Sequence, residues 1–216
     1  MPNFANRDDR EQPQPSDPPA AVTAESDARC CVGVLRGRLG LFAAIALSGA
    51  VVDLLTKAWV FRLLGPPGGV FNEPLDGKKF WIWEPFFALE LSLNHGALFG
   101  LGQGFVWLFV VLSVFAAGGI LYFLFCKGHA RDLWLCIAMA LVMGGIIGNL
   151  YDRLGLPGLV EVDPLGKAHR IHAVRDWILL KYDTWHWPNF NVADSLLVCG
   201  AAMLLIQVFF RPEPKH

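Results

Sequence analysis

Charge is scarce in this chain. Acidic and basic residues make up 17% of its 216 residues, against 54% hydrophobic, whereas a soluble globular domain carries about 25% charged residues. The deficit is concentrated in four stretches, so the class is an integral membrane protein. An excess of one sign is missing too. The formal net charge is −1, which gives no argument for a nucleic-acid partner or a polybasic lipid-binding surface. The five cysteines show no C-x-x-C spacing: Cys30 and Cys31 sit in a polar leader, and Cys126, Cys136 and Cys199 lie in or at the end of apolar runs. Neither a disulfide framework, a zinc site nor a redox motif is supported. The six histidines form no metal box, and His169 and His172 are simply three apart in a charged loop. There is no glycine-rich phosphate loop, Ser/His/Asp set or nucleophilic cysteine context. No cofactor is expected.

Four stretches reach the length of about 20 apolar residues that crossing the hydrocarbon core requires: roughly 39–64, 105–125, 133–150 and 193–210. They define a four-helix membrane domain over 38–211. Residues 1–37 are expected to form a disordered cytoplasmic leader, rich in Pro, Asp, Glu, Arg and Ala near its start, and 212–216 a cytoplasmic tail. The leader is not a cleavable signal peptide, because no basic patch is followed at once by an apolar core. Lys127 and Arg131 fill the short link between the second and third spans, Arg29, Arg36 and Arg38 precede the first, and Arg211 and Lys215 follow the last. By the positive-inside rule these flanks are cytoplasmic. The two long connections, 65–104 and 151–192, then lie on the outer side. They carry Trp81, Trp83, Trp177, Trp185 and Trp187, as segments resting in the interfacial belt do.

In an up-down bundle, the unusual polar residues all fall at that outer end. Asp53 and Lys57 are spaced i, i+4 inside an apolar run and share a helix face. Either Lys57 snorkels outward with Asp53 neutralising it, or Asp53 braces a site and Lys57 orients a polar loop or a substrate carbonyl. Asn94 and Gly96 belong to a polar, glycine-broken stretch before the second span, which is either an ordinary loop or one that holds an extended peptide through the Asn94 amide. Gly144 and Gly148 make a small-xxx-small face for close helix approach. One turn on, Asn149 and Arg153 are again i, i+4 with Asp152 between them. Arg153 and Asp152 fit interfacial anchors, but a buried Asn149 one turn below them suggests instead that Asn149 and Arg153 hydrogen-bond and orient two carboxylates.

Those acids are Asp176, in Val-Arg-Asp-Trp-Ile, and Asp194, in Phe-Asn-Val-Ala-Asp. Asp194 alone could be a helix N-cap. Two carboxylates brought to one membrane surface cannot both ionise comfortably. Such a pair can activate a water and protonate a leaving group, which is the chemistry of aspartic peptide hydrolysis. The alternative from another class is a small proton- or ion-coupled transporter using the intramembrane acids as a relay. Transporters, however, place such groups near the midplane in repeated halves, and neither a repeat nor a midplane cluster is present.

Five islands, in this order, resemble lipoprotein signal peptidase (signal peptidase II), a family of bacterial inner-membrane aspartic endopeptidases: Asp53-Leu-Leu-Thr-Lys57, Asn94-His-Gly-Ala-Leu-Phe99, Gly148-Asn-Leu-Tyr-Asp-Arg153, Val174-Arg-Asp176 and Phe190-Asn-Val-Ala-Asp194. Together they frame residues 39–210. The resemblance implies a four-helix membrane bundle with a small β-cradle and extended loops on the outer side. It implies that Asp176 and Asp194 are the catalytic dyad, with Asn94, Asn149, Arg153 and Asn191 as supporting or substrate-contacting residues. Asp53, Lys57, Asp152 and Gly96 join that shell. The implied substrates are diacylglyceryl-modified prolipoproteins, cut just before the modified cysteine, in contact with membrane lipids. Globomycin-like cyclic peptides are the implied inhibitors. The connections before Asn94 and between Arg153 and Arg175 are longer than this resemblance implies.

Overall fold

The computed structural model describes residues 20–71, 78–96 and 104–210, with side chains from residue 33 onward. The site and its scaffold lie in the unit Leu35–His216. Four helices carry most of the described chain: α1 (Ala20–Leu64), α2 (Val106–Leu121), α3 (Leu133–Arg153) and α4 (Val192–Phe210). Their apolar lengths Gly33–Leu64, Val106–Cys126, Leu133–Arg153 and Val192–Phe210 are sufficient to cross a membrane. Two boundaries differ from expectation. α1 begins at Ala20, so 20–37 is helical where a disordered leader was expected; the run Ala-Ala-Val-Thr-Ala-Glu favours helix by propensity alone. Residues 1–19 and 211–216 lie outside the described residues. α3 runs on to Arg153, which puts Asn149, Asp152 and Arg153 on one helical end.

Contacts between helices establish the threading. α1 runs parallel to α3, since Cys136 Sγ donates to the Arg38 carbonyl at one end (3.7 Å) and Lys57 Nζ donates to Asn149 Oδ1 at the other (3.0 Å). α4 runs antiparallel to α3: Trp134 Nε1 donates to the Met203 carbonyl (2.8 Å), while Asn149 Nδ2 donates to Asp194 far along the same pair (2.8 Å). α2 is antiparallel to α3 too, because the Arg153 guanidinium sits 5.3 Å from the Phe109 ring whereas Leu124 packs with Ala130 and Cys136. The result is an up-down bundle. Glycine permits its tightest contacts. A Cβ on Gly144 would come within 3.0 Å of the Ala46 carbonyl, and one on Gly145 within 2.5 Å of the Ala193 carbonyl. On Gly148 it would collide with the Asp53 carboxylate.

The two long connections form strands: β1 (Val70–Phe71), β2 (Lys79–Trp83), β3 (Phe87–Asn94), β4 (Val160–Val162), β5 (Ala168–Arg170), β6 (Val174–Tyr182) and β7 (Trp185–His186). A four-stranded antiparallel sheet has the order β2-β3-β6-β7. A three-stranded sheet, β1-β4-β5, joins β1 parallel to β4. The lengths beyond the resemblance thus pair with one another. Val60 and Phe61 of α1 pack with Leu89, Leu91, Ile171 and Trp177, which seats the larger sheet on the end of the bundle where α1 and α3 finish.

Overpacking at a closed glycine costs about 1–3 kcal/mol. Gly145→Ala should therefore lower the unfolding midpoint in detergent. Gly118→Ala, where an added Cβ meets nothing within 4 Å, should leave the midpoint unchanged or raise it.

Candidate active site

Strand register sets the first half of the site. Asn94 lies opposite Val174 and Ser92 opposite Asp176, so Asn94 and Asp176 are diagonal neighbours on one face of the sheet. Asn94 Nδ2 donates to Asp176 Oδ2 (3.2 Å), and its amide oxygen accepts from the Gly96 N–H (3.0 Å). That turn leaves the Asn94 amide only one orientation. Residues 97–99 of this island lie outside the described residues.

The second half comes from the chain entering α4. The Trp177 and Ile178 N–H groups donate to the Phe190 carbonyl at 3.1 and 2.9 Å, which pins Phe190 to β6 beside Asp176. Asn191 follows at once. The Asp194 N–H donates to Asn191 Oδ1 (2.9 Å) and the Asn191 N–H donates to Asp194 Oδ2 (3.3 Å). This reciprocal pair is a capping box. The N-cap is therefore Asn191, not Asp194, which sits in the first turn and returns a bond to the cap. Asn191 also donates from Nδ2 to Asp176 Oδ1 (2.6 Å). One residue thus holds both carboxylates.

A buried ionic cluster lies beneath them. Lys57 Nζ is 2.7 Å from Asp53 Oδ2 and 3.0 Å from Asp152 Oδ2, all three side chains being fully buried. It also donates to Asn149 Oδ1 at 3.0 Å, and Asn149 Nδ2 donates to Asp194 Oδ1 at 2.8 Å. Asp53 accepts the Ala193 N–H at 2.8 Å. Lys57 therefore does not snorkel. Its three donors end on three acceptors within the bundle.

Arg153 departs from the role suggested by its spacing. Among the described residues it bonds no carboxylate; its Nη2 donates to the Gly96 carbonyl (3.2 Å), so it holds the Asn94 loop. Asp176 receives its amide donors from Asn94 and Asn191 instead. Arg175 was missed in the sequence. It is 5% exposed, its Nε and Nη2 reach Asp152 Oδ1 at 2.9 and 2.8 Å, and its backbone N–H donates to Asp152 Oδ2 at 3.1 Å. Its position one residue before a candidate acid on a strand was the available signal, because alternation turns it to the opposite face. Among the described residues, no group of three or more His, Cys, Asp or Glu side chains converges as a metal site requires.

Asp176 is 2% exposed. Burial, and then the charge of Asp194, push its carboxyl up to about 7, against the opposing pull of Asn94, Asn191 and Lys57. It therefore keeps a proton at pH values where an ordinary carboxyl has lost it. The arrangement combines a protonatable acid, a second carboxylate and amides that hold both in place.

A sequence model of Signal peptidase (SPase) II matches residues 45–210. The chain belongs to the signal peptidase II family. It is 45% identical over 183 residues to the lipoprotein signal peptidase of Rhodopirellula baltica, covering 83% of this chain and 76% of that one. It is 41% identical to that of Paraburkholderia phymatum over 78% and 87% of the two chains. A solved bacterial membrane enzyme superposes with a TM-score of 0.59 at 22% identity, covering 82% of this chain and 94% of the other, and so shares the fold. The protein is a multi-pass membrane peptidase of the signal peptidase II family. None of these likenesses supports the transporter alternative.

Removing one partner of a buried ion pair costs about 3–5 kcal/mol. Asp152→Ala, which strips the carboxylate from Arg175 and one acceptor from Lys57, should lower the free energy of chemical unfolding by that order, read as a lower midpoint. Asp152→Asn should lose less.

Proposed function

We propose that the protein removes signal peptides from diacylglyceryl-modified prolipoproteins, hydrolysing the bond just before the modified cysteine with Asp176 and Asp194 as its dyad. The observation that carries this reading is Asn191, which bonds both carboxylates at the mouth of α4. Water held between the acids loses a proton to one of them as its oxygen adds to the scissile carbonyl carbon. The proton carried by Asp176 goes to the developing oxyanion. When the C–N bond breaks, the leaving amine takes up the proton the pair gained from water. A hydroxyl of the tetrahedral intermediate gives its proton back to the pair as the product carboxyl forms, and the dyad returns to sharing one. The pair titrates as a unit.

The site's position suits this substrate. A diacylglyceryl cysteine is anchored at the lipid surface, and Asp194 opens a membrane-length helix. Lys127 and Arg131 at the opposite end support cytoplasmic termini in a bacterial inner membrane, with the dyad facing outward. In this reading Asn94, Gly96 and Arg153 form the rim that meets an extended peptide, surrounding lipids complete the site, and globomycin-like cyclic peptides block it.

Purified enzyme should cleave a diacylglyceryl-modified prolipoprotein, and Asp176→Asn or Asp194→Asn should lower kcat by roughly 10³-fold or more, the scale on which catalytic acids and their partners act. Wild-type rates in either variant would end the dyad reading, and equal cleavage of the unlipidated precursor would end the substrate assignment. Because the raised Asp176 carboxyl holds its proton up to about pH 7, kcat/KM should fall on the alkaline side with a midpoint near that value. A profile flat from pH 6 to about 9 would contradict the role of that proton.

A further inference from the structure

Both carboxylates trace back to a single ammonium. On one path, Lys57 Nζ donates to Asn149 Oδ1 (3.0 Å), and Asn149 Nδ2 donates to Asp194 Oδ1 (2.8 Å). An amide accepts at one end and donates at the other. Asn149 Oδ1 also accepts from Asn191 Nδ2 at 3.2 Å, and the shorter bond from the cation on the same oxygen turns the NH₂ to Asp194. On the other path, Lys57 Nζ lies 3.0 Å from Asp152 Oδ2. That same oxygen accepts the Arg175 N–H at 3.1 Å, one residue before Asp176.

We propose that Lys57 is a positioning residue of the dyad, fixing the relative placement of the two carboxylates through Asn149 on one side and through Asp152 and the β6 backbone on the other. It touches no reacting atom. A cation serving only to neutralise Asp53 needs only the contact to that i, i+4 neighbour at 2.7 Å. The bonds to α3 exceed that need, and each leads to one acid. The inference rests on the dyad reading above.

Two charge-balanced double variants test it in full-length enzyme reconstituted in bilayer discs, with a diacylglyceryl-modified prolipoprotein as substrate. Asp53→Asn/Lys57→Met removes the ammonium donor to Asn149 Oδ1 and leaves that oxygen only the longer bond from Asn191 Nδ2 (3.2 Å), whereas Asp53→Asn/Lys57→Gln keeps an amide N–H able to reach it. The Met pair should lower kcat roughly 10- to 100-fold, as small displacements of reacting groups do, with KM changed by less than about twofold. The Gln pair should recover most of that loss at a similar unfolding midpoint. Equal kcat in the two pairs, or a loss confined to KM, overturns the proposal. Should the Met pair not fold, Lys57→Arg decides. Its planar guanidinium keeps the charge but cannot meet three acceptors that converge on one atom, so kcat should fall, and a wild-type kcat contradicts the role. If Asp176→Asn is inert while these variants behave as wild type, Lys57 loses its part and the dyad stands. If Asp176→Asn stays active, both readings fall.

Discussion

Lys57 carries a full charge into the bundle interior, where an isolated ammonium costs several kcal/mol. It is tolerated because Asp53, Asn149 and Asp152 place oxygens within 3.0 Å of Nζ. Satisfying that one cation constrains α1 against α3. Through the Ala193 N–H on Asp53 it also constrains the first turn of α4, and through Arg175 on Asp152 it anchors β6. Gly148 is part of the same constraint, since any Cβ there would occupy the space of the Asp53 carboxylate. The helices can approach this closely only where side chains are absent, and the ion cluster occupies the gap that results.

Above that cluster, the acids are held mainly by neutral amides. Asn94, Asn149 and Asn191 each present an NH₂ to a carboxylate, and each amide oxygen is engaged by a separate donor. Amides can bond a carboxyl in either protonation state without adding charge. Cations at the same positions would hold both acids ionised and remove the shared proton that peptide hydrolysis needs. The guanidinium nearest this end, Arg153, is directed to the Gly96 carbonyl instead, where it shapes the rim.

The membrane frame was legible because runs of about 20 apolar residues in a scarcely charged chain leave few other folds open. The clustering of polar residues at one end followed from counting spans. The assignments within the cluster were less accessible. Asn149 and Arg153 share a helix face, but one helical turn separates an amide under the acids from a guanidinium at the rim. Asp194 resembled an N-cap because Asp is favoured there. The spacing Asn191-Val-Ala-Asp194 also fits a capping box, and Asn191 took the cap because Phe190 is tied to β6. The partnership of Asn94 with Asp176 depends on a strand register between segments 82 residues apart, which neither segment encodes alone. The helical stretch 20–37 was obscured by composition, since polarity suggested disorder while alanine content favoured helix.

The central claim is that a buried Asp176 retains its proton near neutrality beside a second carboxylate. Infrared difference spectroscopy of the reconstituted enzyme, titrated across neutral pH, observes the protonated carboxyl directly. A carbonyl band of a protonated carboxyl should disappear with a midpoint near pH 7 and be missing in Asp176→Asn. Persistence of that band in Asp176→Asn, or its loss near pH 4 as for an ordinary aspartate (about 3.9), would contradict the account.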